Sequence, residues 1–334
     1  WWSFTFRNAA LYILLMNSFF SSLAPEQTPL ASLPLQCLRA ACVDREELDV
    51  RMMPVVVMNV RERQDRQQHM ASLLRHLGFQ RVAFPQTVSR SEVHEEELVE
   101  QGAVLQEGIK SLRTKFGDDA VRPYLAHALS YIRELESAVS SNLPLFAILE
   151  DDLVPAFEPS SLLRYLSHAI SSLPPTADLL YLEYCWEACE DIKYSPDLVA
   201  ELAPGAPVEF LGIAQAVKPA CTGGMVVTAR GAKKLAKSLR PVFHGIDDMI
   251  PRLIQEKKVE AYLAVPPLFY QSSYFGSDAG RRHLEMMQRG QATGIGNFHA
   301  IVLPACHKEL NPVVGYGRVL SWQEAEQLRN SRVF

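Results

Sequence analysis

The sequence predicts an α/β protein with a mainly parallel central sheet flanked by helices. Three observations carry this. Short apolar runs rich in β-branched residues, PVVVMNV (Pro54–Val60), LFAIL (Leu145–Leu149) and GGMVVT (Gly223–Thr228), read as strands buried on both faces. Segments with helical spacing of apolar residues alternate with them. The run LFAILEDDLVPAF (Leu145–Phe157) drives a buried strand straight into three acids, at the strand end where such sheets bind ligands.

In chain order, Pro54–Val60 is the first strand. A helix follows from about Asp65, with Met70, Leu73, Leu74 and Leu77 on one face and Gly78 closing it. FQRVAFPQ reads as a second strand, and the polar span Ser91–Asp119 as helical turns and loop. Leu125, Leu129, Ile132 and Leu135 give the next helix its buried stripe. After the Leu145–Leu149 strand come a helix over Ser160–Ser172 and a strand in ADLLYLEY. A polar excursion, Cys185–Pro207, precedes the Gly223–Thr228 strand, which passes directly into the helix RGAKKLAKSL. GIDDMIPRLIQEKK is a further helix and VEAYLAV a strand. Ser321 with Glu324 forms a capping box for a last helix.

The chain has 334 residues, of which 48% are hydrophobic and 21% charged, so it can bury a full core. Its net charge of −5 gives no basic field for nucleic acid. It begins with Trp1, as a fragment or processed form would. Residues 1–24 contain an uncharged apolar stretch, Ala9–Ala24, short of the roughly 20 residues of a spanning helix and read as a secretory signal or anchor. That segment offers a membrane tether. Residues 25–53, with their prolines, read as a linker or stem, and residues 54–334 as one catalytic domain. The six cysteines match no zinc signature; Cys185 and Cys189 are spaced to pair in an oxidising compartment, or stand as buried thiols.

Three adjacent carboxylates repel one another unless a cation joins them. Hard Mg²⁺ or Mn²⁺ takes oxygen ligands and keeps room for water and substrate phosphates. On an extended chain Glu150 and Asp152 point the same way and Asp151 the other. Glu150 and Asp152 are therefore the candidate metal ligands, and Asp151 the candidate for the bound substrate; the plain alternative is an acidic turn capping the next helix. A phosphoryl-transfer aspartate is disfavoured because the first acid is Glu150. No P-loop, GxGxxG or GxSxG is present.

Several blocks, in order, resemble the family 25 glycosyltransferases, which include lipooligosaccharide and procollagen galactosyltransferases. VVVMNVRERQDR (Val55–Arg66) is similar to the family's opening strand and the Asn and Arg that follow it. PYLAHALSYIREL (Pro123–Leu135) resembles its histidine-bearing helix, with His127 at the His position. AILEDDL (Ala147–Leu153) resembles its ILEDD block and ADLLYLEY the next strand. TGGMVVTARGAKKL (Thr222–Leu235), GIDDMI and PPLFYQSSYFGSD (Pro266–Asp278) resemble the closing elements. Ala126, Glu183 and Gly224 depart from the pattern, where the family has Ser, Gly and Tyr; the departures bear on the acceptor more than on the donor.

The resemblance implies a glycosyltransferase-A fold, a UDP-sugar donor with galactose favoured, Mn²⁺ or Mg²⁺, and inversion at the sugar carbon. The acceptor would be a hydroxyl of a glycan or a glycoprotein. A general base is then required. Asp247 and Asp248 match the second acidic site, with Asp247 the closer match; as bare residues they read equally as acids at a helix start. His127 shares a face with Tyr124 and Tyr131, suited to lining a donor pocket. Asn59, Arg61 and Arg66 follow the first strand and suit uracil, ribose or phosphate. Gln271 and Asp278 match the closing element without an assigned role, and His299 reads as a surface histidine ahead of a late metal ligand. The compartment expected is the ER or Golgi lumen for a eukaryotic chain and the cytoplasm for a bacterial one. The alternative function is a catalytically silent glycosyltransferase-like binding protein or chaperone of the secretory pathway.

Overall fold

The computed structural model describes residues 49–184, 212–265 and 267–271, and the backbone of short strands at 186–187, 301–302, 313–315 and 318–320. The expectations for residues 1–48, Cys185, Cys189, Asp278, His299 and the Ser321–Glu324 box lie outside the described side chains.

A seven-stranded sheet forms the centre, and β6 (Trp186–Glu187) pairs antiparallel with β8 (Pro219–Ala220) outside it. The strands of the central sheet are β1 (Val55–Met58), β2 (Val82–Ala83), β3 (Leu145–Glu150), β5 (Leu179–Glu183), β7 (Gly212–Gln215), β9 (Gly224–Thr228) and β10 (Ala261–Val265), in spatial order β2-β1-β3-β9-β5-β10-β7. The β1–β2, β1–β3 and β5–β10 pairs are parallel, whereas β9 runs antiparallel between β3 and β5, and β7 antiparallel to β10. The sheet is therefore mixed: β2, β1, β3, β5 and β10 share one direction, and β9 and β7 oppose them.

Helices cover both faces, which is why the strands are apolar without alternation. Val55 and Val57 of β1, Ala147 and Leu149 of β3, and Leu180 and Leu182 of β5 pack into one core layer with α1 (Gln64–His76) and α5 (Pro159–Ser171). The intervening Val56, Met58, Phe146, Ile148, Leu179 and Tyr181 pack into the other, with α3 (Gln106–Phe116), α4 (Asp118–Ser140), α6 (Ala229–Ser238) and α7 (Ile246–Gln255). The short α2 (Glu95–Glu100) sits in the polar span before α3. Val50, in a 3₁₀ turn before β1, and Met53 already lie in the core. Helix α1 ends at His76 with Leu77 as its C-cap, and Gly78, expected to close it, takes the left-handed conformation (φ 81°). Among the described residues no helix is long and apolar enough to cross a membrane.

Two features gather residues at one edge of this sheet. First, β9 is antiparallel, so its start, at Gly224, sits opposite Leu149 near the end of β3 and Glu183 at the end of β5. The segment before β9 therefore arrives where the parallel strands finish. Second, β4 (Leu153–Pro155) leaves the sheet after the acids and pairs with β11 (Phe269–Gln271), which sets Gln271 opposite Leu153.

Candidate functional site

The edge where β1, β3 and β5 end collects five carboxyl side chains: Glu150, Asp151, Asp152, Glu183 and Asp247. β3 stops at Glu150, and Asp151 and Asp152 occupy the turn that follows. The period-two expectation does not extend through this turn. Asp151 and Asp152 both face Arg66, which α1 delivers two residues into its first turn: Arg66 Nη1 lies 2.8 Å from Asp151 Oδ1 and 3.3 Å from Asp152 Oδ2. The amide of Asn59, just past β1, donates to Asp151 Oδ2 at 2.8 Å and to the Arg63 carbonyl at 3.1 Å. Both oxygens of Asp151 are thus engaged by the protein. One turn along α1, His69 Nε2 contacts the Leu153 carbonyl at 2.7 Å, so α1 grips the acidic turn at both ends. Burial lowers the His69 pKa, which favours the neutral ring as donor in that contact.

Glu150 looks the other way. His127 Nε2 lies 3.4 Å from its Oε1, and the Gln271 amide donates to its Oε2 at 2.6 Å. His127 also packs edge-on against the Tyr131 ring, with centroids 4.9 Å apart. Tyr131 is fully buried and its hydroxyl donates to the Thr222 carbonyl at 2.7 Å. The face that joins Tyr124, His127 and Tyr131 on α4 therefore turns toward the acids.

Asp247 and Asp248, neighbours at the start of α7, diverge. Asp247 accepts a 2.5 Å hydrogen bond from the Thr222 hydroxyl, which also lies 3.4 Å from Glu150 Oε1. Asp248 is exposed and pairs with His244 at 2.5 Å and Lys115 at 3.5 Å. Of the two candidate bases, Asp247 belongs to the cluster and Asp248 stands outside it.

The electrostatics follow from burial and crowding. Burial, then the Glu150 charge, pushes the Asp152 carboxyl up to about 8. The same two causes push Asp247 up to about 6. Burial, with Glu150, Asp152 and Asp247 nearby, drives Glu183 well above the usual range, against the Gly223 amide that donates to it at 2.9 Å. Burial also raises Asp151, in spite of Arg66 and Asn59. Burial opposes the Glu150 charge too, yet the His127 hydrogen bond and charge hold that carboxyl below its ordinary value; for His127 burial is outweighed by Glu150 and the pKa rises. Among the described residues Arg66 and His127 are the cations that act on these acids. Five ionised carboxylates would exceed those cations, and the raised Asp152 and Glu183 show that the cluster meets this surplus by holding protons.

Asp152 states the surplus most directly. It is 9% exposed, and its Oδ1 is buried with no hydrogen-bond partner. A buried carboxylate oxygen without a donor is costly and marks a place for a cation or a water. Among the described residues no three His, Cys, Asp or Glu side chains converge as a ready-made metal cage. Mg²⁺ and Mn²⁺ do not require one, since they bind through one or two carboxylates, waters and substrate phosphates. Asp152, through Oδ1, fits that mode, whereas Glu150, expected beside it, is turned to His127 and Gln271, because the chain is not extended past β3.

Arg61 is exposed and stands apart from the acids. With Asn59, Gln64, Gln67, Phe84, Pro85, Gln86 and Thr87 it lines a cleft of about 250 Å³ beside the end of β1. A larger hollow of about 520 Å³ lies elsewhere, where Arg113 and Arg122 are paired with Glu95 and Asp118.

Glu183, Thr222 and His69 join the site without having been singled out for a role. Glu183 had a signal: ADLLYLEY ends a buried strand in an acid just as LFAILE does. Thr222 and His69 had none, because their contacts depend on the sheet order and on the pairing of α1 with the acidic turn. Cys221, the one cysteine among the described residues, is disulfide-bonded and adopts a left-handed backbone conformation (φ 69°) immediately before Thr222. Comparison with protein-family models gives no match, and comparison with curated protein sequences gives none either.

Proposed function

We propose that this chain is a metal-dependent, inverting glycosyltransferase that moves a hexose from a UDP-sugar to a hydroxyl of a glycan or glycoprotein. The observation that carries the reading is the unpartnered, buried Oδ1 of Asp152 inside a crowded acidic cluster at the end of β3. Such an arrangement suits a divalent cation shared with a diphosphate. The order of motifs along the chain supplies the class of donor.

In this reading Asp152 would hold Mn²⁺ or Mg²⁺, with Glu150 joining only by giving up its His127 or Gln271 contact, and the bound ion would supply Lewis-acid stabilisation to the departing diphosphate. Arg66 and Asn59 fix the acidic turn, and His69 fixes the residue after it. The cleft lined by Asn59, Arg61, Gln67 and Gln86 lies next to that turn and offers the Arg61 guanidinium and glutamine amides to the nucleoside. Asp247 accepts the proton of the acceptor hydroxyl. A carboxyl raised to about 6 is still largely ionised at neutral pH and is a stronger base than an exposed aspartate. A single displacement with one base gives inversion.

A binding protein without turnover is the second reading. It is favoured by the engagement of both Asp151 oxygens by Asn59 and Arg66, which gives the acids a structural use. Incubation with a panel of UDP-sugars, with Mn²⁺ or EDTA, separates the two. UDP release that needs Mn²⁺ supports the transferase. Tight UDP binding with no release from any donor supports the binder.

A further inference from the structure

Thr222 and Gly223 touch three of the five acids of the site, Glu150, Glu183 and Asp247. The Thr222 hydroxyl bonds Asp247 Oδ1 at 2.5 Å and lies 3.4 Å from Glu150 Oε1. The Thr222 carbonyl accepts from Tyr131 at 2.7 Å. The Gly223 amide donates to Glu183 at 2.9 Å, and its carbonyl accepts the Glu150 amide at 2.6 Å. Two consecutive residues thereby tie the ends of β3 and β5 to α4 and to the first turn of α7. Thr222 is 1% exposed, so its hydroxyl has little solvent to bond with instead.

The segment is held rigidly enough to act this way. A Cβ on Gly223 would collide with the Glu183 carboxyl, so the backbone is in direct contact with that acid. Cys221, just before, is tethered by its disulfide and held in a left-handed conformation that a non-glycine residue keeps only where its surroundings fix it.

We infer that Thr222 is the positioning residue of the site, its hydroxyl orienting Asp247 as the base; this rests on the reading of Asp247 proposed above. A hydroxyl has one proton to donate, and the shorter contact shows it directed at Asp247. That bond occupies Oδ1 and leaves Oδ2 to accept the acceptor's proton. It also favours the ionised carboxylate, against burial and the Glu150 charge that disfavour it. Asp247 has no basic side chain of its own helix turned to it; Glu150, His127 and Asp248 are the charges that act on it, and Thr222 is the donor that fixes its rotamer.

The test compares Thr222→Val, which keeps the shape and removes the hydroxyl, with Thr222→Ser, which keeps the hydroxyl. Two readouts are taken on the full chain: the ¹³C carboxyl resonance of Asp247, assigned with Asp247→Asn and followed at one neutral pH, and kcat and KM for UDP-sugar turnover. Thr222→Val is expected to move the Asp247 resonance and to lower kcat roughly 10- to 100-fold with little change in donor KM. Thr222→Ser is expected to restore both. If the valine variant fails to fold, Thr222→Ala removes the same hydroxyl without added bulk and carries the same expectation. An Asp247 resonance unchanged by Val or Ala overturns the inference, as does a serine variant no better than valine. Absence of turnover in the unaltered chain would remove the transferase reading instead, and the carboxyl signal, which needs no substrate, would still decide whether Thr222 positions Asp247.

Discussion

Arg66 holds Asp151 across 85 residues of sequence, Nη1 to Oδ1, at 2.8 Å, with both side chains buried. The same nitrogen reaches Asp152 at 3.3 Å. A buried pair of this kind adds little by existing, but breaking it strands the remaining charge. Arg66→Met is expected to destabilise the chain by about 3–5 kcal/mol at neutral pH. Adding Asp151→Asn to Arg66→Met should recover part of the loss. Urea denaturation of the single and double variants measures both; a loss below about 1 kcal/mol for Arg66→Met would show that the acidic turn does not depend on it.

Glu134 gives a pH prediction free of the site. It is buried on α4, and burial raises its carboxyl to about 7 from an ordinary 4.5. In that window the folded chain holds a proton that the unfolded chain releases. Its contribution is therefore intact below about 4.5 and is lost as pH rises through about 7. The loss is roughly 3 kcal/mol when complete. Glu134→Gln should be more stable than the unaltered chain at pH 8 and close to it at pH 4, by urea denaturation at each pH. Equal effects at both pH values would contradict the assignment.

Gly223 and Gly224 make a paired prediction. A methyl on Gly223 runs into the Glu183 carboxyl, whereas one on Gly224 meets Leu149 and Leu153 side chains at 3.3 Å, which can give slightly. Gly223→Ala should cost about 1–3 kcal/mol and Gly224→Ala less. Thermal unfolding of the two variants ranks them, and a reversed order would show that Glu183 is not packed on this backbone.

Much of this fold was legible because burial on both faces of a sheet leaves a plain mark. Val55–Met58 and Leu145–Leu149 are apolar at every position since alternate side chains enter two different cores. The reversal of β9 was not legible, since an antiparallel strand buried between parallel neighbours carries the same composition. That reversal brings Thr222 and Gly223 to the acids, which explains why Thr222 could not be found from spacing. The acid triplet was visible as a site, but the assignment of its faces assumed an extended chain. The turn at Asp151–Asp152 sends both toward Arg66 and leaves Glu150 to His127 and Gln271. Asp247 and Asp248 look alike in sequence and separate only through α7, which carries one inward to Thr222 and the other out to His244.

Metal addition tests the charge surplus by itself. If the site binds Mn²⁺, the ion is expected to raise the thermal midpoint, adding about 2.7 kcal/mol of stability at a hundredfold excess over Kd. Asp152→Asn should abolish most of that rise, while folding at least as well without metal, because it removes a carboxylate crowded by Glu150 and Asp151. A Mn²⁺ response of equal size in the asparagine variant would remove Asp152 as a ligand.

The proposed activity at the acidic end of β3 is turnover of a UDP-sugar with a divalent cation. The direct measurement is UDP release by the unaltered chain and by Asp152→Asn, each with Mn²⁺ and with EDTA, across UDP-hexoses. Release by the unaltered chain with Mn²⁺ is expected from at least one donor. A fall of about 100-fold or more is expected with EDTA or with Asp152→Asn. Full activity in Asp152→Asn, or no release from any donor with Mn²⁺ present, would contradict it.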